Sequence, residues 1–411
     1  MSLTTAATKW AAAPDDPRAR PTLLLLPGRH RRAAAGHPWV YSNEIAMDAA
    51  AKALAPGTIV TLGAAEGTPF ATAAFNPHPL ISARVLSFDP GETIDAAFLA
   101  RRIEAALELR ERFYGSPFYR LVHSEADGLP GLIVDRFGDH LVVQVNSAAM
   151  EMLWPILWEV LERLLRPRVA ILRNDSAARA QEGLKEETQI IRGDVTGPVE
   201  LVENETRFLA DLLTGQKTGW FFDQRENRRA VAILAKGRRV LDLYSYGGGF
   251  ALAAARAGAR EVVAVDRSAP ALALAEAAAR LNGVTAVCRF VRAEVFAEMA
   301  RMDDVGERFE IVVADPPAFV KSKKDLGAGV KGYRKMTRLA AKLVAPRGLL
   351  FVASCSHNVE LAMFADQIRR GISEAGRHGR ILSTTGAGPD HPVHPFLPES
   401  AYLKAQLLQL D

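Results

Sequence analysis

The amino-acid sequence predicts an α/β protein of several domains. A doubly wound, mostly parallel sheet fills the C-terminal half, behind a small β-barrel or sandwich and an α+β module. Three observations predict this. The chain is 411 residues long, too long for one ordinary hydrophobic core. Residues 21–90 change pattern every few positions, whereas strand, glycine turn and helix alternate from about residue 237 onward. The composition, 49% apolar and 24% charged, is that of a globular protein and excludes the disordered and fibrous classes.

Residues 1–20 are rich in Ala and Pro and read as a flexible tail. The LLLL run at 23–26 is too short for a signal-peptide core, and nothing approaches the ~18 apolar residues of a membrane span. TLLLLPG, WVYSNEI, GTIVTLG, FATAAFN and LISARVL are strand-like runs punctuated by Gly, Pro and Asn, which marks 21–92 as one small β domain. In FLARRIEAALELRERFY, Phe98, Ile103, Leu107, Leu109 and Phe113 recur at helical spacing, so an amphipathic linker helix follows. GLIVDRFGDH and LVVQVN form a hairpin through Gly138 and Asp139. The helix MEMLWPILWEVLERLL, the strand AILRND and the hairpin-like TQIIRGD and VELVENETRFLAD complete an α+β module, giving a domain of 93–205. The remainder, 206–411, carries the strands VLDLY, EVVAVD, CRFVRAE, EIVVADPP and GLLFVAS, with a long helix near 331–345.

Net charge is +4, a mildly basic surface that suits a polyanion without demanding one. The two cysteines, Cys288 and Cys355, make no disulfide framework, and no Cys/His cluster has zinc-ligand spacing. A reducing, cytoplasmic compartment and no metal are expected.

Chemistry gathers at the carboxyl ends of the parallel strands. Gly247, Gly248 and Gly249 join the first strand to its helix, where a missing Cβ and free N–H groups admit a ligand. The strict GxGxxG fingerprint is absent, and a plain tight connection fits equally well. Asp266 ends the second strand, placed to accept hydrogen bonds from ribose hydroxyls or to cap the helix near Ser268. Glu294, after the third strand, is within reach of an adenine edge or is a plain loop acid. Asp242, inside the first strand, either approaches the ligand through the glycine turn or is buried against backbone amides. Asp315-Pro316-Pro317-Ala318-Phe319 is a rigid turn whose carbonyls can hold an exocyclic amine and whose Phe319 can stack on a base. Cys355 follows at the end of the next strand, between two serines. A thiolate there can add to carbon 6 of a pyrimidine and make carbon 5 nucleophilic, provided its pKa is lowered, with His357 and a basic lining as candidates to lower it. A small buried hydrophobe is the other reading, and the one assigned to Cys288.

DLYSYGGGF, EVVAVD, DPPAF, SCSHN and LTGQKTGWFFDQRENR together resemble the class I S-adenosylmethionine-dependent RNA methyltransferases, and within them the bacterial 23S ribosomal RNA (cytosine-C5) methyltransferase I family. The resemblance spans nearly the whole chain. GHPWVYSNEI and FNPHPLISARVLS resemble its N-terminal PUA-type barrel, HSEADGLPGLIVDRFGD its central domain, and HPVHPFLPESAYLK its C-terminal sheet hairpin. It implies a Rossmann-like, seven-stranded methyltransferase domain, S-adenosyl-L-methionine as cofactor, and 23S ribosomal RNA or a large-subunit assembly intermediate as partner, with a homodimer left open. It implies Cys355 as nucleophile and Asp315 as part of the motif after the fourth strand, and we expect Asp315 as the nearest candidate for a second catalytic group. Cofactor positions would be Gln216, Lys217, Thr218, Phe222, Asp223 and Arg225, then Asp242, Tyr246, Gly248, Gly249, Asp266, Glu294 and Asp315. Substrate would meet Pro316, Pro317 and Phe319, with Arg29, Arg31 and Arg32 on phosphate, beside Trp39 and Tyr41.

Two departures stand out. Gly247 occupies a place where the family often has Thr. Ala318 stands where better-known RNA cytosine methyltransferases carry a second cysteine, so the base that removes the carbon-5 proton is open, with Asp315 near and Glu399 distant as candidates. The rival readings are methyl transfer to a base nitrogen or a small molecule with Cys355 structural, a nicotinamide-dependent oxidoreductase, and a non-catalytic RNA-binding protein on a methyltransferase scaffold.

Overall fold

The computed structural model describes residues 15–320 and 322–411, and most of the expected tail falls outside them. Residues 15–20 do not behave as a tail. Arg20 donates to Thr72 Oγ1 (2.9 Å), and Asp15 accepts from the Ile94 amide (2.8 Å). By packing density the chain divides into two compact units, 1–196 with 389–398 and 197–388 with 399–411.

The first unit holds two five-stranded sheets. In one, the strands run in the spatial order Thr22–Leu24, Thr58–Gly63, Pro69–Phe75, Ile81–Ser87, Trp39–Tyr41. Its first pair is parallel and the others antiparallel. These are the five strand-like runs of residues 21–92. The other sheet contains the expected hairpin, Leu132–Phe137 with His140–Val145, and is covered by the helices Ala96–Phe113 and Ala148–Leu165. The linker helix buries Phe98, Leu99, Ile103, Ala106 and Arg110, whereas Phe113, expected on that stripe, is 58% exposed. The 3.6-residue period carries the buried face through Arg110, a cation that the apolar pattern could not reveal. Arg110 is fully buried because Asp127 takes it in a bidentate pair at 2.7 Å.

The second unit opens with a hairpin, Val199–Glu203 and Thr206–Ala210, turned by Asn204 and Glu205 at φ 48° and 63°. Its seven-stranded sheet comprises β1 (Arg239–Leu243), β2 (Glu261–Asp266), β3 (Cys288–Arg292), β4 (Phe309–Ala314), β5 (Val344–Ser354), β6 (Gly379–Thr385) and β7 (Lys404–Leu410). The helices are α1 (Arg225–Ile233), α2 (Gly249–Arg256), α3 (Ala269–Leu281), α4 (Val295–Asp304), α5 (Leu326–Leu343) and α6 (Leu361–Glu374). Spatial order is β3-β2-β1-β4-β5-β7-β6, with only β7 antiparallel to its neighbours. Strands buried on both faces explain the unbroken apolar runs such as EIVVA and LLFVA. The order reverses between β1 and β4, and open α/β sheets bind ligands at the carboxyl ends beside such a reversal. The terminal hairpin is β6 with β7, so only the end of HPVHPFLPESAYLK enters it, and residues 389–398 group with the first unit.

Candidate active site

The carboxyl ends of β1, β2, β4 and β5 border a cavity of about 310 Å³, within the range that small-molecule ligands occupy. Its wall includes Lys217, Asp223, Tyr246, Gly249, Asp266 and Glu294 on one side, and Asp315, Pro316, Pro317, Phe319 and Cys355 on another. Thr218, Phe222, Arg225, Asp242 and Gly248 stand behind this wall, while Gln216 is on it.

The turn after β1 is built from unusual backbone. Tyr244 (φ 63°) and Tyr246 (φ 47°) both adopt the left-handed region, which side chains other than Gly rarely occupy and which clusters at functional sites. Asp266 holds this shape. Its carboxylate accepts from the amides of Tyr246 (2.9 Å) and Ser268 (2.8 Å). The cap of α3 is Ser268, not Asp266. Gly248 (φ +77°) would bring a Cβ to 2.9 Å from that of Ala275, so only glycine lets α2 start here. Gly247 has ordinary φ, and the nearest neighbour to an added Cβ is Trp220 at 3.5 Å, so a side chain has room there. Asp242 takes the Ala251 amide at 2.9 Å and is buried, which pushes its carboxyl up to about 8. Of its two readings, the structure realises the buried acid. Glu294 caps α4 through Ala297 while still facing the cavity.

The 216–225 segment contributes Gln216, Lys217 and Asp223 to the wall beside the glycine turn. The Gln216 amide donates to Tyr246 Oη (3.1 Å), and Lys217 Nζ pairs with Asp223 Oδ2 (2.6 Å), which also receives Tyr402 Oη (2.5 Å). Arg225 is not on this wall. It is buried 3.6 Å from Glu203, whose carboxylate is held in a bidentate pair by Arg228 at 2.6 Å.

At the end of β5, Ser354 and Ser356 turn away from the cavity onto Tyr333 of α5. Ser354 Oγ donates to Tyr333 Oη (2.8 Å), Tyr333 and Ser356 share a 2.7 Å contact, and the Phe319 and Val320 amides donate to Tyr333 Oη and Ser356 Oγ. Behind them, buried Lys404 donates to the carbonyls of Ser356 (2.7 Å) and Val359 (2.5 Å). The two serines therefore anchor the loop on either side of Cys355 rather than flank its sulfur. Burial pushes the thiol up, with Lys217 opposing and Asp315 and Asp223 adding to the rise. A lowered thiol pKa is expected from the sequence, and the structure gives the reverse because burial outweighs the opposing Lys217. Nor does His357 assist: burial lowers its pKa, and it stacks on Tyr402 at 5.0 Å. Asp315 is raised to about 7, by burial first and then Asp223.

Outside this cavity, Glu399 is exposed, and Cys288 is half-buried against the sheet with its thiol pushed up to about 11 by burial. In the first unit Arg29 and Arg31 are exposed, but Arg32 is committed to Glu44 (2.7 Å) and lies over the Tyr41 ring. Sequence reasoning missed Arg228, Tyr244, Phe296, Tyr333 and Lys404. Arg228 was available inside the quoted QRENR motif, whereas Tyr333 and Lys404 meet the site only through tertiary packing.

Family models for an S-adenosylmethionine-dependent methyltransferase and a PUA-like domain match residues 155–383 and 23–88. Ribosomal RNA large subunit methyltransferase I from Aeromonas salmonicida is 38% identical over 393 residues, 94% of this chain and 98% of the relative. The Escherichia coli protein of that name is 36% identical over 394 residues, 93% of this chain and 97% of its own length. The chain belongs to the ribosomal RNA large subunit methyltransferase I family. A candidate S-adenosylmethionine-dependent methyltransferase from Streptococcus mutans superposes with TM-score 0.79 at 20% identity, over 95% of this chain and all of that one, which speaks for the fold.

The cavity fits S-adenosylmethionine, the cofactor of this methyltransferase family. Ser245 Oγ is buried without a hydrogen-bond partner among the described residues, a donor left for a ligand. Asp266 and Glu294 on adjacent strand tips suit ribose and adenine polar groups, and Gly249 leaves the wall open where a Cβ would meet Arg228 at 3.0 Å. The wall carries Asp223, Asp266, Glu294 and Asp315 beside Lys217, Arg228 and Arg267. Lys217 and Arg228 are already held by Asp223 and Glu203, which leaves Asp266 and Glu294 to suit a cationic ligand.

Proposed function

We propose that this protein methylates carbon 5 of a cytosine in 23S ribosomal RNA through a covalent adduct to Cys355. The observation that carries the proposal is that Cys355, Asp315 and the glycine turn line one cavity. The relatives' name supports a large-subunit ribosomal RNA as substrate.

Bound S-adenosylmethionine supplies an electrophilic methyl group. Everything else falls to the chain's own groups. Asp266, Glu294 and Ser245 would hold the nucleoside end, while Pro316, Pro317 and Phe319 would receive a base extruded from its stack. Addition of the Cys355 sulfur to carbon 6 forms a C–S bond and moves the ring electrons toward carbon 5, which becomes the nucleophile. Lys217 favours the thiolate. After methylation of carbon 5, a carboxylate removes its proton, and the returning electrons expel the sulfur and restore the ring. Asp315, with its carboxyl raised to about 7, suits that proton transfer at neutral pH.

Two measurements test this. Mapping 5-methylcytosine in ribosomal RNA from cells with and without the gene should reveal one lost site, and identical maps would remove the substrate assignment. Cys355→Ala should abolish transfer while S-adenosylhomocysteine still binds; retained activity would instead favour methylation at a nitrogen.

A further inference from the structure

We propose that the basic face of α5 is a docking surface for the phosphate backbone of the RNA strand that delivers its base to the cavity. The face consists of Lys331, Lys335 and Arg338, with Lys323 and Lys324 in the turn before the helix. This inference rests on the RNA reading above and adds to it a contact in the methyltransferase unit itself.

Spacing places the three helical cations at i, i+4 and i+7, on one side of α5, while Tyr333, Met336, Thr337 and Ala340 on the other side are buried. Lys323, Lys324, Lys331 and Lys335 are exposed and Arg338 is half-buried. None of the five forms an ion pair among the described residues. Their neighbours do: Arg334 reaches Glu374 at 3.5 Å and Lys342 reaches Asp303 at 3.1 Å. Isolated surface cations are ordinary. Six cations stand in these sixteen positions (323 to 338) with one acid, Asp325, and the five other than the paired Arg334 repel one another and create a local field that a polyanion relieves.

Position makes the field relevant to the site. A Cβ on Gly329 would stand 2.3 Å from Val320 Cγ2 and 2.6 Å from the Phe319 carbonyl, and one on Gly332 would be 3.1 Å from the Phe319 ring. These glycines let α5 lie directly against the loop that carries Phe319 into the cavity wall. The Lys335 ammonium is already 4.9 Å from the centre of the Phe296 ring, which lines the same cavity. A base inserted between the proline turn and Cys355 brings its flanking phosphates toward this rim, where cations meet them without further rearrangement.

The test compares Lys331→Gln/Lys335→Gln/Arg338→Gln with Lys236→Gln/Arg256→Gln/Arg280→Gln. The control triple makes the same charge change near the amino edge of the sheet. Binding of transcribed 23S ribosomal RNA is measured over a salt series, with S-adenosylhomocysteine affinity as the check on folding. Losing three phosphate contacts should lower affinity about tenfold or more at physiological salt and reduce the slope of log K against log salt by roughly 2. The control should lose less than about threefold. Equal losses in both triples, or no loss in the first, overturn the inference while leaving the RNA reading intact. If the first triple no longer binds S-adenosylhomocysteine, Lys331→Gln alone is measured instead, and an unchanged salt slope overturns the proposal. Wild-type protein that neither binds nor methylates this RNA or a large-subunit particle would refute the RNA reading, and the inference with it. If only particles are bound, the two triples are compared on particles, and equal losses overturn the inference.

Discussion

Asp315 and Cys355 must both be deprotonated for the proposed chemistry, and the cavity resists both ionisations. Burial raises the carboxyl to about 7 and lifts the thiol above its usual range. Single-turnover methyl transfer should therefore rise with pH through about 7 as Asp315 ionises, and continue rising as the thiol ionises. Asp315→Asn should remove the lower inflection, slow the reaction by 10²-fold or more, and leave the upper rise in place. A pH–rate profile unaltered in shape would exclude Asp315 as the base. Asp242 gives a different signature. Its pKa rises from 3.8 to about 8 on folding, so between those values the folded state holds a proton that the unfolded chain lacks. Stability contributed by the protonated form is complete below 3.8 and is lost as pH climbs to about 8. Asp242→Asn, which can still accept from Ala251, should flatten the decline of melting temperature from pH 5 to pH 8; an unchanged decline would mean the carboxylate is ionised when folded.

Among the elements, β5 and the turn after β4 depend on α5. Tyr333 is fully buried, ties Ser354 to Ser356 and receives the Phe319 amide, so one hydroxyl spaces the Cys355 loop against the proline turn. Tyr333→Phe keeps the ring contacts with Phe319 and Phe364 but deletes that hub. Methyl transfer should slow by roughly tenfold, because small misplacements of reacting groups are costly, while S-adenosylhomocysteine binds as before. An unaltered rate at a temperature well below melting would reduce Tyr333 to a packing role. The long hydrophobic side of α5 was legible from its period; that its one tyrosine meets the cysteine loop was not.

Across the chain, the first unit borrows a segment distant in sequence. Asp390 is fully buried, accepts the Arg120 amide (3.1 Å) and His391 Nδ1 (2.9 Å), and its carbonyl receives Arg110 Nη2 (3.0 Å). Asp390→Ala would leave buried donors unmatched, at a cost of about 2–4 kcal/mol. Chemical denaturation should register that loss in the first unit without altering S-adenosylhomocysteine affinity. A midpoint unaffected by the substitution would show that these bonds add little beyond solvent contacts. The described residues contain no helix long and apolar enough to cross a membrane.

The period of the apolar residues, the Gly and Pro punctuation and the order of short motifs sufficed to set out the strands, the parallel β/α rhythm and the ring of glycine, aspartate and cysteine at the carboxyl edge. Those features are local, since burial pattern and turn chemistry act over a few residues. Protonation states, the anchoring of both serines on Tyr333, the use of Arg225 on Glu203 and the transfer of residues 389–398 to the first unit arise from contacts between segments far apart in the chain. They depend on desolvation and on partners that come into being when the chain folds, and no run of neighbouring letters encodes them.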